Sequence, residues 1–361
     1  MPEKNRLSKE ELITSLKMLA PGTMLRSGLE SILNANKGAL VVVGDNDEIM
    51  GLVEGGFNIN CQFTDSALYE LAKMDGAIIL DGKVEKILRA NAHLHPLVTI
   101  PSNETGIRHR IAQRVARQTD ALVVAISEHR GTISFYKGLL KYVLRDTGFI
   151  LTKANQAVQT LDKYRYILNR TLDELSALEI KGISTVNDAA EAIQQAVLVL
   201  HIIEELEIYI CQLGSEGKLV NIQLQEINWD LKKEILLLIR DYYQPGKTLP
   251  YPRDILNHIQ SSPRFEPLDL REISRILGYG YSEEALRVLA YPKGYRVMSK
   301  IAPIPVTVVD DLVNTFGSLN NLMASNVEGL TKVEGIGEAR AQTIKEGFLK
   351  FHRDILDQGS E

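Results

Sequence analysis

The sequence predicts a multi-domain protein: an α/β domain with a mixed central sheet, an all-α linker or spine, and a small all-α helix-hairpin-helix domain. Three observations carry that reading. Short apolar, β-branched runs alternate with amphipathic segments in the first part of the chain. Glycine then thins out and helical periodicity takes over from about Leu151 to Asp241. From about Tyr295 a compact third part ends in two helices around a Gly-x-Gly turn. The boundaries read as 1–147, 148–294 and 295–361. With 361 residues, 45% of them hydrophobic, the chain is long enough to give each part a core.

In the α/β part, Leu12 to Leu19 and Met24 to Leu33 read as helices, with Thr23 after Pro21-Gly22 as N-cap of the second. The runs at 39–43, 76–80 and 121–126 have the length and β-branching of buried strands. Lys86 to Ala90 and Thr132 to Tyr136 alternate and read as half-exposed strands. Asp65 to Lys73 and Ile107 to Gln118 read as helices between them. Further on, Asp188 to Gln195, Val197 to Leu213 and Leu219 to Tyr242 are helical in period. Pro245, Pro250, Pro252 and Pro263 then punctuate a looser stretch. Short helices resume at Leu270 to Leu277 and Ser282 to Val288. In the last part Val306 to Phe316 ends at Gly317, Leu319 to Ala324 follows, and a final helix reaches about Phe351.

The net charge of −5 excludes a polycation, so any nucleic-acid contact must come from a local patch or from backbone amides. Cys61 and Cys211 lie far apart and match no metal spacing, as expected of buried thiols in a reducing cytoplasm. The N-terminal residues mix charge with apolar positions and lack a signal-peptide h-region. No apolar run approaches the roughly 20 residues of a membrane helix. A soluble, cytoplasmic protein is the expectation.

The most informative segment runs from Glu104 to Val115, a loop opening an amphipathic helix with Ile107, Ile111 and Val115 on one face. Arg108, His109 and Arg110 crowd its first turn. Free N–H groups and the macrodipole already make that end positive, so each cation is misplaced by roughly 0.3–1 kcal/mol. A phosphate bound there would turn the penalty into binding energy. The companion candidate is Asp75, at the mouth of a buried strand beside Gly76. A carboxylate facing phosphate-binding cations suits phosphoryl or nucleotidyl transfer, by holding a divalent metal or accepting a hydroxyl proton. The alternative readings are a solvated helix face and a plain Asp-Gly turn. Ser127, Glu128 and Arg130 follow an apolar strand, where α/β folds place ligands, although a surface turn explains them nearly as well. Gly55-Gly56-Phe57 reads as a turn, since no Walker Lys-Ser/Thr follows.

At the other end, Val333-Glu334-Gly335-Ile336-Gly337 forms the turn of a helix-hairpin-helix. Gly335, Ile336 and Gly337 would bring backbone N–H groups to a DNA phosphate, supported by Lys332, Arg340 and Lys345. The alternative is a protein contact. Residues 294–361 carry seven Lys/Arg against nine Asp/Glu, so binding would be weak, salt-sensitive and selective for structure.

Asp75-Gly76-Ala77 with Arg108-His109-Arg110 resembles the paired signature of the diadenylate cyclase domain. Pro21-Gly22-Thr23, Gly55-Gly56-Phe57, Leu68-Tyr69-Glu70-Leu71, Glu104-Thr105-Gly106 and the C-terminal glycine turn extend the likeness over nearly the whole chain. The order of cyclase domain, helical linker and helix-hairpin-helix is similar to that of the DisA family of DNA integrity scanning proteins. The resemblance implies condensation of two ATP into cyclic di-AMP with release of two pyrophosphates, using Mg²⁺ or Mn²⁺. It implies a catalytic, metal-binding Asp75, nucleotide contacts from Gly76 and Leu94, and phosphate contacts from Ile107 to Ile111. Family members often carry threonine where this chain has Ile107 and Ile111, which leaves backbone N–H contacts there but no hydroxyl.

The product is a two-fold ring made by two identical attacks, so two domains must meet face to face across a C2 axis. The family forms octamers built from cyclase dimers. The implied partners are ATP, cyclic di-AMP and branched DNA such as Holliday junctions, in a DNA-damage and repair setting on the nucleoid. Two other function classes stay open from the residues themselves: a non-catalytic DNA-structure sensor regulated by nucleotide, and a transferase that adenylylates a macromolecule.

Overall fold

The computed structural model describes residues 2–228, 230–244, 251–260, 268–301 and 304–358. Pro245, Pro250 and Pro263 lie outside the described residues; Pro252 opens a helix. The chain forms two compact units, one of residues 1–156 and 206–222, the other of 157–205 and 223–361.

The first unit begins with α1 (Pro2–Met18), α2 (Met24–Asn34), β1 (Ala39–Val43), α3 (Asp47–Met50), β2 (Val53–Glu54), β3 (Phe57–Gln62), α4 (Asp65–Leu71) and β4 (Ala77–Leu80). It continues with β5 (Lys86–Leu94), α5 (Ile107–Thr119), β6 (Leu122–Ser127), β7 (Thr132–Lys137) and β8 (Leu140–Val143). The Thr23 side chain caps α2 by accepting from the Arg26 amide, as the sequence predicts. The strands make one mixed sheet in the order β2-β5-β4-β1-β6-β7-β8, with β3 also on β5. β1 and β4 run parallel; the other pairs are antiparallel.

Why β1, β4 and β6 are apolar throughout follows from their period of two. Ala39, Val41 and Val43 join a core with Ile78, Leu80, Leu122, Val124 and Ile126, into which α1, α2 and α4 send Leu16, Leu29 and Leu68. Leu40 and Val42 face the other way with Ala77, Ile79, Val123 and Ala125, against Ala112, Val115 and Ala116 of α5. Both faces of these strands are covered.

Gly55 and Gly56 depart from the expected turn. They lie between β2 and β3, which run along the same strand: Val53 pairs with Leu94 and Phe57 with Ala90. Both have positive φ, and a Cβ on Gly56 would stand 2.7 Å from the Ala90 carbonyl oxygen. The pair is a kink in an edge strand opposite the irregular part of β5, where Asn91 has φ 52°. The edge strands β2 and β8 escape a sequence reading because they are two and four residues long, and β3 because Asn58 and Asn60, poor strand formers, fill its polar positions.

The helical remainder comprises α6 (Thr147–Lys181), α7 (Val186–Leu213), α8 (Lys218–Asn228), α9 (Leu231–Tyr242), α10 (Pro252–Gln260), α11 (Leu270–Leu277), α12 (Glu283–Leu286) and α13 (Tyr295–Ile301). It ends with α14 (Val306–Phe316), α15 (Leu319–Ala324), α16 (Val327–Leu330) and α17 (Glu338–Gln358). Among the described residues no helix is long and apolar enough to cross a membrane.

Within the second unit a buried charge network joins α6, α9 and α13. Arg296 is paired with Glu179 at 2.5 Å, both side chains being 1% exposed, and it donates to Ser176. Tyr242 donates to the same glutamate at 2.7 Å. Asp241 accepts from the Gly294, Tyr295 and Arg296 amides, capping the start of α13. Burial and the neighbouring Glu179 push Asp241 up to about 7 even against those donors. Removing one partner leaves the other charged and dry. Arg296→Met should therefore lower stability by about 3–5 kcal/mol in chemical denaturation, while replacing the exposed pair member Arg170 should change it little.

Candidate functional site

Strand register decides what meets at the site. Leu40 is opposite Ala77 on β4, Ala39 is opposite Ile126 on β6, Ala77 is opposite Ala92 on β5, and Ser127 is opposite Thr132 on β7. Asp75, Gly76, Gly38, Leu94, Ser127, Glu128 and Arg130 therefore share one edge of the sheet. β5, β6 and β8 offer their carboxyl ends there; Asp75 sits before the amino end of β4. The strand-end rule thus finds Ser127 to Arg130 but would have missed the aspartate. A cavity of about 470 Å³, lined by Gly44, Asp45, Asp120 and Lys137 among others, opens at the opposite edge, and no predicted site residue lines it.

Helix α5 starts at this edge. Its N-cap is Gly106, in extended backbone with no side-chain cap, so the first-turn N–H groups point outward without a side-chain acceptor. Arg108 reaches back to Asp75, Nη2 to Oδ1 2.5 Å, with the carboxylate 92% exposed. Gly38 leaves the space for that guanidinium: a Cβ there would lie 2.4 Å from Arg108 Nη1. Arg110 donates to the Thr105 carbonyl at 3.2 Å. His109 Nδ1 lies 2.9 Å from the Tyr136 hydroxyl. Each of the three side chains that crowd the helix start thus has an internal partner.

Burial lowers the His109 pKa from its ordinary value; Glu104 opposes this, while Lys141, Arg130 and Arg108 reinforce it. The charges of Arg130 and Lys141 thus both bear on the same imidazole. Lys141 ion-pairs with Glu104. Burial alone would raise Glu104, but Lys141, Tyr136 and His109 hold it below the usual carboxylate range. Burial and the Glu104 charge raise Tyr136, so its hydroxyl keeps its proton.

The loop feeding α5 is held by the helix itself. Gln113 accepts from the Ser102 hydroxyl and the Asn103 amide, and Gln118 from the Leu97 amide. Arg114 donates to the Ile100 carbonyl and Arg117 to that of Pro101. These polar side chains rigidify the approach to the uncapped end.

The apolar stripe expected on α5 is corrected at its start. Val115 is buried, but Ile107 is 75% exposed and Ile111 is half-buried. Ile107 precedes the turn that packs on the sheet, so it stands at the site and outside the core. Leu94 is buried among the residues beneath α5. Glu128 and Arg130 are exposed in the β6–β7 turn, where the Ser127 hydroxyl accepts from the Arg130 amide at 3.3 Å.

Gly76 has a structural reason of its own. A Cβ there would lie 2.4 Å from the Asn91 carbonyl carbon and 2.7 Å from the Ala92 nitrogen. The bulge of β5 is gripped between Gly76 and Gly56. Tyr136, Lys141 and Gly38 are members of this neighbourhood that the sequence reading missed. Lys141 lies on the unpredicted β8, Tyr136 looks like an ordinary strand aromatic, and Gly38 has meaning only once Arg108 is placed.

At the C-terminal turn, Gly335 has φ +82° and is exposed, and Gly337 has open space where a side chain would be. Ile336 is buried in the core of α13 to α17 and contributes packing. Lys332 and Arg340 are exposed, and Arg340 donates to the Gly335 carbonyl. Lys345 instead caps α15, donating to the Met323 and Ser325 carbonyls at 2.9 and 2.6 Å. Cys61 and Cys211 are free thiols, each half-buried.

Because the space beside Gly76 is filled by backbone, Gly76→Ala should displace the β5 bulge and cost about 1–3 kcal/mol in thermal unfolding.

The chain matches the family model described as DisA bacterial checkpoint controller nucleotide-binding over residues 26–139. The DisA linker region model matches over 144–286, and a SAM-like helix-hairpin-helix tandem over 307–348. It is 50% identical to the DNA integrity scanning protein DisA of Carboxydothermus hydrogenoformans, over 96% of this chain and 98% of that protein. It is 48% identical to the protein of the same name from Clostridium kluyveri, over 97% and 98%. Identity of this order, sustained from the sheet through the helical linker to the glycine turn, means that the chain belongs to the DisA family.

Proposed function

We propose that this chain, a diadenylate cyclase, binds ATP at the Asp75 edge of its sheet and joins it to a second ATP held by another copy. The observation that carries the reading is the Asp75–Arg108 pair at the uncapped start of α5. Three phosphates have acceptors enough to draw Arg108 and Arg110 away from internal partners and to engage Arg130 as well. That exchange frees the Asp75 carboxylate next to the nucleotide. In each half of the reaction a ribose 3′-oxygen bonds to the α-phosphorus of the other nucleotide. The bond from that phosphorus to the β-phosphate bridge breaks, pyrophosphate leaves, and the hydroxyl proton goes to Asp75 or, through water, to solvent. The first-turn amides and arginines neutralise the charge that develops on the phosphates.

A divalent cation fits this donor set. Asp75 supplies a hard, exposed oxygen, and among the described residues no group of three or more His, Cys, Asp or Glu could hold an ion alone. Phosphate and water oxygens would complete the shell, as is common for Mg²⁺. Bound there, Mg²⁺ or Mn²⁺ neutralises phosphate charge. Gly76 and Leu94 line the nucleotide side, and Ile107, being exposed, offers an apolar contact. Backbone amides of Ile107 to Ile111 serve where family members often have threonine hydroxyls.

In this reading the two attacks require a face-to-face dimer, and such dimers assemble into an octamer. Residues 1–147, 148–294 and 295–361 act as cyclase, spine and DNA-binding domains. The Gly335–Gly337 turn, with Lys332 and Arg340, grips the phosphates of branched DNA such as a Holliday junction, and occupancy there regulates the cyclase. Lys345, spent on α15, contributes to the turn's shape more than to its charge. The protein works in the cytoplasm, at the nucleoid.

Incubated with ATP and Mn²⁺, the protein should yield cyclic di-AMP by mass spectrometry, and Asp75→Asn should yield none while melting like the parent. Product from the variant, or adenylylated macromolecule in place of the ring, would refute the assignment. Gly337→Leu should fold, since space is open there, and lose about tenfold in affinity for a four-way junction, the worth of a charge-assisted contact. Its cyclase rate without DNA should match the parent.

A further inference from the structure

Around His109 stand three further polar side chains, Glu104, Tyr136 and Lys141. Lys141 on β8 is the cross-strand neighbour of Tyr136 on β7. Its ammonium meets the Glu104 carboxylate, which is 9% exposed. The charge of the same carboxylate bears on the Tyr136 hydroxyl and raises its pKa, and that hydroxyl is 2.9 Å from His109 Nδ1. The tyrosine is 1% exposed, with its ring edge-on to the imidazole at 6.2 Å.

An ammonium only donates, and an ionised carboxylate only accepts. Of the two acceptors near the Tyr136 hydroxyl, the anionic carboxylate is the stronger and takes its single proton. The tyrosine oxygen is left as acceptor, so Nδ1 must be the imidazole nitrogen that carries hydrogen. A phenylalanine would serve the core as well as this tyrosine, and burying a carboxylate costs solvation. Three polar groups lined up behind one ring point to the ring.

We propose that Glu104 and Tyr136 are positioning residues of the cyclisation: through the chain Glu104–Tyr136–His109 they fix the imidazole's orientation and commit Nδ1–H inward, so that Nε2 is the nitrogen that meets the triphosphate. Neither residue touches nucleotide. This rests on the reading that the helix start at Arg108 to Arg110 holds the triphosphate. The logic is that of metal-binding histidines, whose second nitrogen is fixed by an outer partner.

The test uses full-length protein labelled with ¹⁵N-histidine, the His109 signals being identified by their loss in His109→Asn. The parent should show a protonated Nδ1 and a bare Nε2 when neutral. Tyr136→Phe should shift the proton to Nε2, the usual preference in water. Glu104→Gln should reverse the chain, since its amide oxygen must face Lys141 and its NH₂ must face the tyrosine, which then donates to Nδ1. Lys141→Met should keep the parental tautomer, because the carboxylate remains. In Tyr136→Phe and Glu104→Gln, kcat/KM for ATP should fall by about tenfold or more, as when a histidine's outer partner is removed. Should Tyr136→Phe fail to fold, Glu104→Gln decides alone. An Nδ1–H tautomer persisting in Glu104→Gln, or a shifted tautomer with unchanged kcat/KM, overturns the proposal. A parent that forms no cyclic product sinks the cyclase reading instead, and the tautomer still reports on the hydrogen-bond chain.

Discussion

The burial of both faces of β1, β4 and β6 is the constraint on which the rest of the first unit depends. Apart from the terminal Ser127 of β6, those strands spend their side chains on two cores, one against α1, α2 and α4 and one against α5. Nothing else within them is left for chemistry. Polar function is forced to strand ends and to the helix start that lands beside them. The parallel pairing of β1 with β4 and the antiparallel pairing of β1 with β6 bring Asp75, Gly38 and Ser127 to one edge.

At that edge, electrostatics is settled before any ligand arrives. A helix start rich in cations is unfavourable by itself. The fold offsets it residue by residue, with Asp75 for Arg108, a carbonyl for Arg110, and a buried tyrosine for His109. The Asp75 partner is exposed, so the pair is weak and easily exchanged. The partners of His109 are buried and clasped by Lys141, so that arrangement is stiff. A site in which one cation can swing and one imidazole cannot is suited to gripping phosphates while keeping a fixed contact.

The second unit uses buried charge differently. Arg296, Glu179 and Asp241 sit where α6, α9 and α13 converge, and each is bonded to backbone or to another member. Such a network specifies one docking of α13, the helix that opens the C-terminal core. Two of the seven cations of residues 294–361, Arg296 and Lys345, are absorbed internally. The exposed charge left around the glycine turn is smaller than a count of residues suggests.

Read alone, the chain determined the fold class, the mixed central sheet, the run of long helices and the glycine turn between α16 and α17. It also determined the family, and it singled out Asp75 and Arg108 to Arg110 as candidate site residues. These are properties of local period, of helix-end chemistry and of short motifs, which the sequence carries within a few residues. Tertiary structure alone decided that Asp75 meets Arg108 across 33 residues, because strand register is set by packing on both sides of the sheet. It decided that Gly76 makes room for the β5 bulge, that Ile107 faces solvent, and that Lys345 caps a helix. It brought Glu104, Tyr136 and Lys141 together behind His109, from a loop and two strands whose polar residues look unremarkable in isolation. Contacts between residues far apart in the chain leave no periodic trace, so only the folded backbone reveals them.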